Sequence, residues 1–293
     1  MIGRFHHSEF PLGRLLERKR EAVTVVLPTR EVADTIGPIL EQLQTLGGLV
    51  DQILVIDAAS DDGTAEIAAR LGAEVHQESQ LLPAFGQALG KGDAMWRALS
   101  VARGELIVYL DSDTRDFSAH FATGLLGPLI CGDAQFVKGF FRRPFTDESG
   151  ERPFDGGRVT ELTARPLLSA FYPELAGFVQ PLAGEVAARR STFDDLPFAT
   201  GYAIETSMLL HARDLVGIQA MVQVDLDVRR NYHQPLPQLS PMAYAVLRVI
   251  LERLRRNGRL LDDHAPPLQT ADGRLIQVEL IERPPYASIR TPA

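Results

Sequence analysis

From residue 22 to residue 110 the chain repeats one unit: a short apolar run, a turn of small polar residues, then a stretch of helical length. Val23-Thr24-Val25-Val26-Leu27 is stopped by Pro28, and Asp34 caps a helix running to about residue 45, ended by Gly47-Gly48. Ile53-Leu54-Val55-Ile56 follows, with a polar turn over 57–64 and a helix over 65–71 closed by Gly72. A third, shorter run (73–76), a helix over 93–102 and the run Glu105-Leu106-Ile107-Val108-Tyr109-Leu110 complete the series. Apolar runs of this length, rich in β-branched residues, read as buried strands. Strands alternating with helices at this spacing close as a parallel sheet with right-handed crossovers. The order is that of a nucleotide-binding half-domain.

The remainder is less regular. A polar-faced helix over 9–21 leads in. After residue 133 the pattern predicts a strand over 134–141 carrying Lys138, a polar Gly- and Pro-bearing loop, a helix over 161–171, a strand over 184–190, a helix over 201–212 and a strand over 220–228. Residues 242–256 make an amphipathic helix, with Leu247, Ile250, Leu251 and Leu254 at i, i+3, i+4 and i+7. A Pro-rich tail with one strand-like piece over 276–280 ends the chain. The division expected is 1–133, 134–240 and 241–293.

The last strand of the series runs directly into Asp111-Ser112-Asp113. Two carboxylates at i and i+2 sit on rigid backbone at the carboxyl end of a strand, where α/β sheets collect ligands. Mg²⁺ and Mn²⁺ take oxygen ligands, commonly one or two carboxylates together with substrate phosphate oxygens. The triplet therefore suggests a metal-held diphosphate, although many Asp-x-Asp pairs at strand ends serve only turns and caps. Thirty basic against thirty-eight acidic residues, a net charge of −8, argue against nonspecific nucleic-acid binding. One cysteine, Cys131, excludes an internal disulfide and suits a reducing compartment. With no apolar run near 18 residues and no apolar leader, a cytoplasmic protein without a membrane span is expected.

Eight segments, in order over roughly residues 20 to 240, carry a family resemblance. They are Val25-Val26-Leu27-Pro28-Thr29, Val55-Ile56-Asp57-Ala58-Ala59-Ser60, Gly90-Lys91-Gly92-Asp93-Ala94-Met95-Trp96, Asp111-Ser112-Asp113, Phe136-Val137-Lys138, Gly156-Gly157-Arg158-Val159-Thr160-Glu161-Leu162, Gln180-Pro181-Leu182-Ala183-Gly184-Glu185 and Gly201-Tyr202-Ala203-Ile204-Glu205. The chain resembles nucleotide-sugar glycosyltransferases of the GT-A fold, most nearly the retaining glucosyl-3-phosphoglycerate and mannosyl-3-phosphoglycerate synthases. The first four segments occur in many GT-A enzymes. The Gly-Gly-Arg-Val-Thr-Glu-Leu and Gln-Pro-Leu-Ala-Gly-Glu segments are much narrower.

The resemblance implies an α/β GT-A architecture: a Rossmann-like nucleotide-sugar-binding half with a mixed central sheet, fused to an acceptor-binding half. It implies donor contacts at Pro28, Thr29, Glu31, Asp57, Ser60, Lys91, Asp111, Ser112 and Arg229. Glu31 and Asp57 offer acceptors for base or ribose, while Asp61 and Asp62 read as caps for the next helix. Lys91, between glycines before a helix, puts a point charge beside phosphate. Gly157, Arg158, Val159 and Thr160, at a helix start with Thr160 also fit to serve as N-cap, imply a cradle for the phosphate of 3-phosphoglycerate, with Asn231 a further acceptor contact. Glu205 is implied to contact donor-sugar hydroxyls, and catalysis to rest on Asp113, Glu205 and Lys91.

One departure stands out. The family pattern is Arg-x-His-x-Asn, the histidine completing the metal site, whereas here Arg229-Arg230-Asn231-Tyr232-His233 exchanges the two. Residues at i and i+2 of an extended segment share a side, so His233 is expected to join Asp113 as ligand, with Asn231 as the substitute. His6, His7, His76 and His120 read as structural.

The implied activity is Mg²⁺- or Mn²⁺-dependent transfer of a hexose from a nucleoside-diphosphate sugar to the C2 hydroxyl of D-3-phosphoglycerate. UDP-glucose is the first donor and GDP-mannose the alternative, and a homodimer is expected. Two other classes compete: an inverting GT-A transferase acting on a polyprenyl phosphate, and a catalytically silent nucleotide-sugar-binding protein.

Overall fold

One mixed sheet of eight strands carries the molecule, in the order β1-β11-β6-β9-β5-β2-β3-β4. The computed structural model describes residues 2–143, 145–147, 150–152, 157–230, 235–260, 268–269, 275–277 and 279–289. In chain order the elements are β1 (Gly3–His6), α1 (Leu12–Arg18), β2 (Val23–Thr29), α2 (Ala33–Gln44), β3 (Gln52–Asp57), α3 (Thr64–Arg70), β4 (Glu74–Gln77), α4 (Lys91–Ala98), β5 (Leu106–Tyr109) and α5 (His120–Cys131). There follow β6 (Phe136–Arg142), the hairpin β7 (Phe145–Asp147) and β8 (Gly150–Arg152), α6 (Arg165–Phe171), β9 (Val186–Arg189), α7 (Arg190–Asp195), β10 (Phe198–Ala199) and α8 (Ile204–Val216). The chain ends with β11 (Met221–Val228), α9 (Leu236–Arg256), β12 (Leu268–Gln269), β13 (Leu275–Ile276) and β14 (Glu282–Arg283).

The expected strands of the first half are all present, within one to three residues. Their alternate side chains face opposite layers. Val25, Leu27 and Val108 pack toward Ile36, Ile39 and Phe121, while Val26, Ile107 and Tyr109 pack toward Trp96, Phe193 and Ile250. The result is a sheet between two helical layers.

β9 alone runs against its neighbours, antiparallel to β5 and β6. Val186 faces Tyr109 in that register, so the residues entering β9, Gly184 and Glu185, lie at the edge where β5 runs out into Asp111. The carboxyl ends of β2, β5, β6 and β11 share that edge.

Three local expectations need correction. The leading helix is shorter than 9–21, because a 3₁₀ turn over His7–Glu9 precedes α1. Asp34 does not cap α2. The N-cap is Val32, without a side-chain bond, and Asp62 does the work instead: its Oδ2 accepts from Ala33 N at 2.8 Å and its Oδ1 from Thr64 N at 3.0 Å. One carboxylate thus serves the starts of two helices. Finally, Thr160 lies inside a helix that already begins at Arg158 and runs through a π-helical turn, Thr160–Ala164. Glu161 N donates to Gly157 O at 3.1 Å, which makes Gly157 the N-cap.

Candidate active site

A cleft of about 770 Å³ opens over the shared strand edge. Pro28 and Thr29 from the end of β2 line it, with Asp111, Ser112 and Asp113 beyond β5, Arg229 beyond β11, Lys91 at the start of α4 and Glu205 in the first turn of α8. Gly157, Arg158, Val159 and Thr160 line the same cleft. Segments about 200 residues apart in sequence, Pro28 and Arg229 among them, therefore converge on one cleft.

The centre of the site is a chain of ion pairs. Lys91 Nζ lies 2.5 Å from Asp111 Oδ1 and 2.8 Å from Glu205 Oε1. Arg229 Nη1 donates to Asp111 Oδ2 at 2.8 Å, and its Nη2 to Asp113 Oδ1 at 2.6 Å. Asp111 is held on both sides, whereas Asp113 keeps 54% of its side chain exposed to the cleft. Burial alone drives Lys91 toward neutrality, but Asp111 and Glu205 outweigh it and hold its pKa above the usual lysine value. Burial likewise works against the Asp111 carboxylate, and Lys91 and Arg229 overcome it, holding its pKa far below the ordinary range. Both groups are locked in their charged forms.

The glycines around Lys91 serve packing. Gly90 takes φ +81°, and a β-carbon on Gly92 would lie 2.0 Å from Ala199 O, so α4 can begin only against a bare backbone. Gly184 answers a similar demand: a β-carbon there would lie 2.2 Å from Asp111 Oδ1 and 2.5 Å from Lys91 Nζ.

Glu185 is a site residue for which the sequence suggested no role. Only 1% of its side chain is exposed, and one oxygen lies 2.8 Å from Arg229 Nη1. Neither oxygen is aligned for a hydrogen bond. Burial, opposed by Arg229, pushes its carboxyl up to about 7. A charged residue entering an apolar strand was the available signal. Lys138, in β6, donates to Ala183 O at 2.5 Å, and burial lowers its ammonium to about 8. Arg143, beyond β6, also lines the cleft, and burial lowers its pKa.

Three residues expected on the donor, Glu31, Asp57 and Ser60, bond to one another and to neighbours in the turn beside the cleft. Asp57 is fully buried and accepts from Ser60 N at 3.0 Å, Ser60 Oγ at 2.7 Å, Gln77 Nε2 at 2.9 Å and Thr29 Oγ1 at 3.2 Å. Ser60 Oγ in turn accepts from Glu31 N at 2.9 Å, and Glu31 Oε1 from Asp61 N at 2.9 Å. These contacts shape the turn that carries Thr29 and do not bring Glu31, Asp57 or Ser60 to the cleft lining. Gly156, Asn231 and His233 lie outside the described residues.

Asp113 fits a hard divalent cation in chemistry: it is the half-open member of a carboxylate pair at a strand end, facing a cleft large enough for a nucleotide sugar.

A model of the glycosyl transferase family 2 matches residues 24–179. The glucosyl-3-phosphoglycerate synthase of Petrotoga mobilis is 38% identical over 303 residues, covering 97% of this chain and 93% of the relative. Among solved structures, the mannosyl-3-phosphoglycerate synthase of Rubrobacter xylanophilus is 47% identical with a TM-score of 0.89, covering 99% of this chain and 96% of that one. The glucosyl-3-phosphoglycerate synthase of Mycobacterium tuberculosis, solved with Mn²⁺, UDP-glucose and phosphoglyceric acid, is 36% identical with a TM-score of 0.88 and 99% coverage of both chains. Another structure of the tuberculosis enzyme holds Mg²⁺ and UDP.

Proposed function

The chain belongs to the glucosyl-3-/mannosyl-3-phosphoglycerate synthase family of GT-A glycosyltransferases, and from that premise we propose that it transfers glucose from UDP-glucose to the C2 hydroxyl of D-3-phosphoglycerate with retention of configuration. The observation that carries this reading is the convergence of the Lys91–Asp111–Arg229–Asp113 ion-pair chain and the Gly157–Thr160 helix start on one cleft. The ion-pair chain suits a diphosphate and the helix start a phosphomonoester.

On the donor side, Asp113, with His233, would hold the Mg²⁺ or Mn²⁺, which would supply Lewis-acid charge neutralisation when bound. Arg229 and Lys91 stand fully charged on either side of Asp111 and favour negative charge growing on the departing diphosphate. Their geometry is set in advance by Asp111, so little reorganisation is needed. Glu205, tied to Lys91 and lining the same cleft, takes sugar hydroxyls in this reading.

On the acceptor side, the first N–H groups of a helix have no intrahelical partner. Those of Arg158, Val159 and Thr160 therefore offer an anion cradle, completed by the Arg158 guanidinium and the Thr160 hydroxyl. Asn231 belongs to the same acceptor set. No side chain of this constellation has to act as a covalent nucleophile.

The mannosyl relative's 47% identity favours one second reading, GDP-mannose as donor. A panel of UDP- and GDP-hexoses with 3-phosphoglycerate, reading nucleoside diphosphate release, separates them: UDP-glucose is expected to turn over fastest, and faster turnover of GDP-mannose makes the second reading correct. No helix among the described residues is long and apolar enough to cross a membrane. A cytoplasmic site of action belongs to the same proposal, supported by the single unpaired Cys131.

A further inference from the structure

Away from the cleft's ion pairs, the amino-terminal strand and the end of β11 bring together side chains for which the transfer reaction has no use. β1 pairs in parallel with β11, His6 opposite Asp225. Between Asp225 and Val228 the register of β11 against β6 shifts, and Asp227 takes φ +67°. A left-handed backbone is unfavourable for a non-glycine residue, and here the carboxylate meets two imidazoles. His7 Nε2 lies 2.6 Å from Asp227 Oδ2 and His6 Nε2 3.4 Å from Oδ1. The ligand atoms of all three residues lie within 4.8 Å of one another.

The surroundings orient these groups. Ser8 Oγ is 2.7 Å from His6 Nδ1, and Ser8 N donates to the same nitrogen at 3.3 Å, so Ser8 holds the ring by its far nitrogen and leaves Nε2 toward the cluster. A hydrogen bond on the far ring nitrogen is the usual partner of a metal-bound histidine. The His120 ring backs that of His7 at 4.1 Å between centroids, and His120 Nε2 is fixed 3.1 Å from Leu226 O. Asp225 Oδ1 accepts from Asp227 N at 3.1 Å and secures the turn. Side-chain exposures of 41% for His6, 18% for His7 and 45% for Asp227 leave a way in from solvent. Arg142 opposes a cation, with Nη2 3.8 Å from Asp227 Oδ1, but its side chain is 57% exposed and free to swing into water.

We propose that His6, His7 and Asp227 form a second divalent-cation site, selective for Zn²⁺-class metals, that clamps the β1 corner to the end of β11. Two imidazoles and one carboxylate with a fourth position open to water suit tetrahedral Zn²⁺, whose donors stand about 3.4 Å apart at bond lengths of about 2.0–2.1 Å. The His6–Asp227 pair already stands at that spacing, His7 and Asp227 are closer at 2.6 Å, and all three donors lie within 4.8 Å. Mg²⁺ prefers oxygen and does not compete well for such a set. Because Asp227 lies two residues before Arg229, occupancy stiffens the strand end that delivers the arginine to the cleft.

Calorimetric titration of Zn²⁺ alone into full-length Asp113→Ala protein, with the catalytic carboxylate removed, tests this. One Zn²⁺ per chain is expected. Asp227→Asn, which keeps a residue tolerant of the left-handed backbone, and His7→Gln in the same background should each weaken binding at least tenfold, and Ser8→Ala about tenfold. Melting in chelator, unchanged by these substitutions, confirms that folding is intact; His6→Gln replaces any variant that melts early. Absence of saturable Zn²⁺ binding, or binding indifferent to both Asp227→Asn and His7→Gln, overturns the site.

Discussion

Asp111 and Asp113 are two residues apart on one strand end, yet exposure gives them different work. The first is enclosed by Lys91 and Arg229, and the second is half open. Asp113→Ala is therefore expected to abolish turnover while leaving the fold intact, since no core group is removed. His233→Ala should be about as severe and Asn231→Ala milder, with Mn²⁺ supporting faster turnover than Mg²⁺ because imidazole favours the later metal. Initial rates of the three variants with each metal check this, and a harmless His233→Ala beside a crippled Asn231→Ala reverses the assignment. At the acceptor wall, a charge-assisted hydrogen bond to phosphate is worth roughly 1.5–3 kcal/mol. Arg158→Ala should then raise KM for 3-phosphoglycerate about tenfold to a hundredfold and leave the donor KM nearly unchanged; equal damage to both points to a folding role for the turn. The carboxylate pair was legible because it stands at a strand end, whereas Lys91 and the Gly157–Thr160 turn, which by pattern alone read as a loop lysine and a helix cap, were legible through the family resemblance. Glu185 was not, because its position against Asp111 and Arg229 depends on the reversed direction of β9, which no local pattern encodes.

Elements were legible where local pattern and tertiary demand agree. The continuous apolar runs of β2, β3 and β5 name themselves. β1 does not: Gly3–His6 carries no apolar run and exists through pairing with β11 more than two hundred residues later. Helix α5 holds Gly124, Gly127 and Pro128, which argue against a helix. The glycines are nonetheless required, since a β-carbon at Gly127 would lie 2.0 Å from the Phe10 ring and one at Gly124 2.8 Å from a Leu226 methyl. Close packing overrides propensity there. The C-terminal strap is the third case. Beyond the Pro-rich tail, β14 returns to pair with β10, and Arg283 sends Nε and Nη2 to Asp93 at 2.9 Å each. Asp93 is fully buried in the first turn of α4, the helix that begins with Lys91. Removing one partner of a buried ion pair costs about 3–5 kcal/mol. Arg283→Ala should lower the melting temperature by several degrees and reduce kcat through displaced Lys91, although residue 283 does not line the cleft. Unchanged melting and turnover would show the strap to be dispensable.

At the scale of the whole molecule, reversal of one strand turns a parallel half-sheet into a site. β9 enters at the edge where β2, β5, β6 and β11 leave, so Gly184 and Glu185 meet Asp111 and Arg229 there. The spacing of apolar runs predicts a parallel sheet, and the mixed sheet was legible only through family resemblance. Helix α9 divides the stripe expected on it. Ile250 and Leu254 enter the chain's own core beside Val246 and Val249, while Leu247 and Leu251 stay partly exposed. A homodimer through that remaining edge should give twice the chain mass by light scattering at micromolar concentration, and a single-chain mass removes it. The central claim is glucosyl transfer to 3-phosphoglycerate with retention by a metal-assisted front of Asp113, Arg229 and Lys91. Proton NMR of the product formed from UDP-glucose, 3-phosphoglycerate and Mn²⁺ reads it most directly. The expected product is a single α-glucoside on C2, formed only when both substrates are present and lost in Asp113→Ala; a β-linked product, or UDP release independent of 3-phosphoglycerate, contradicts the account.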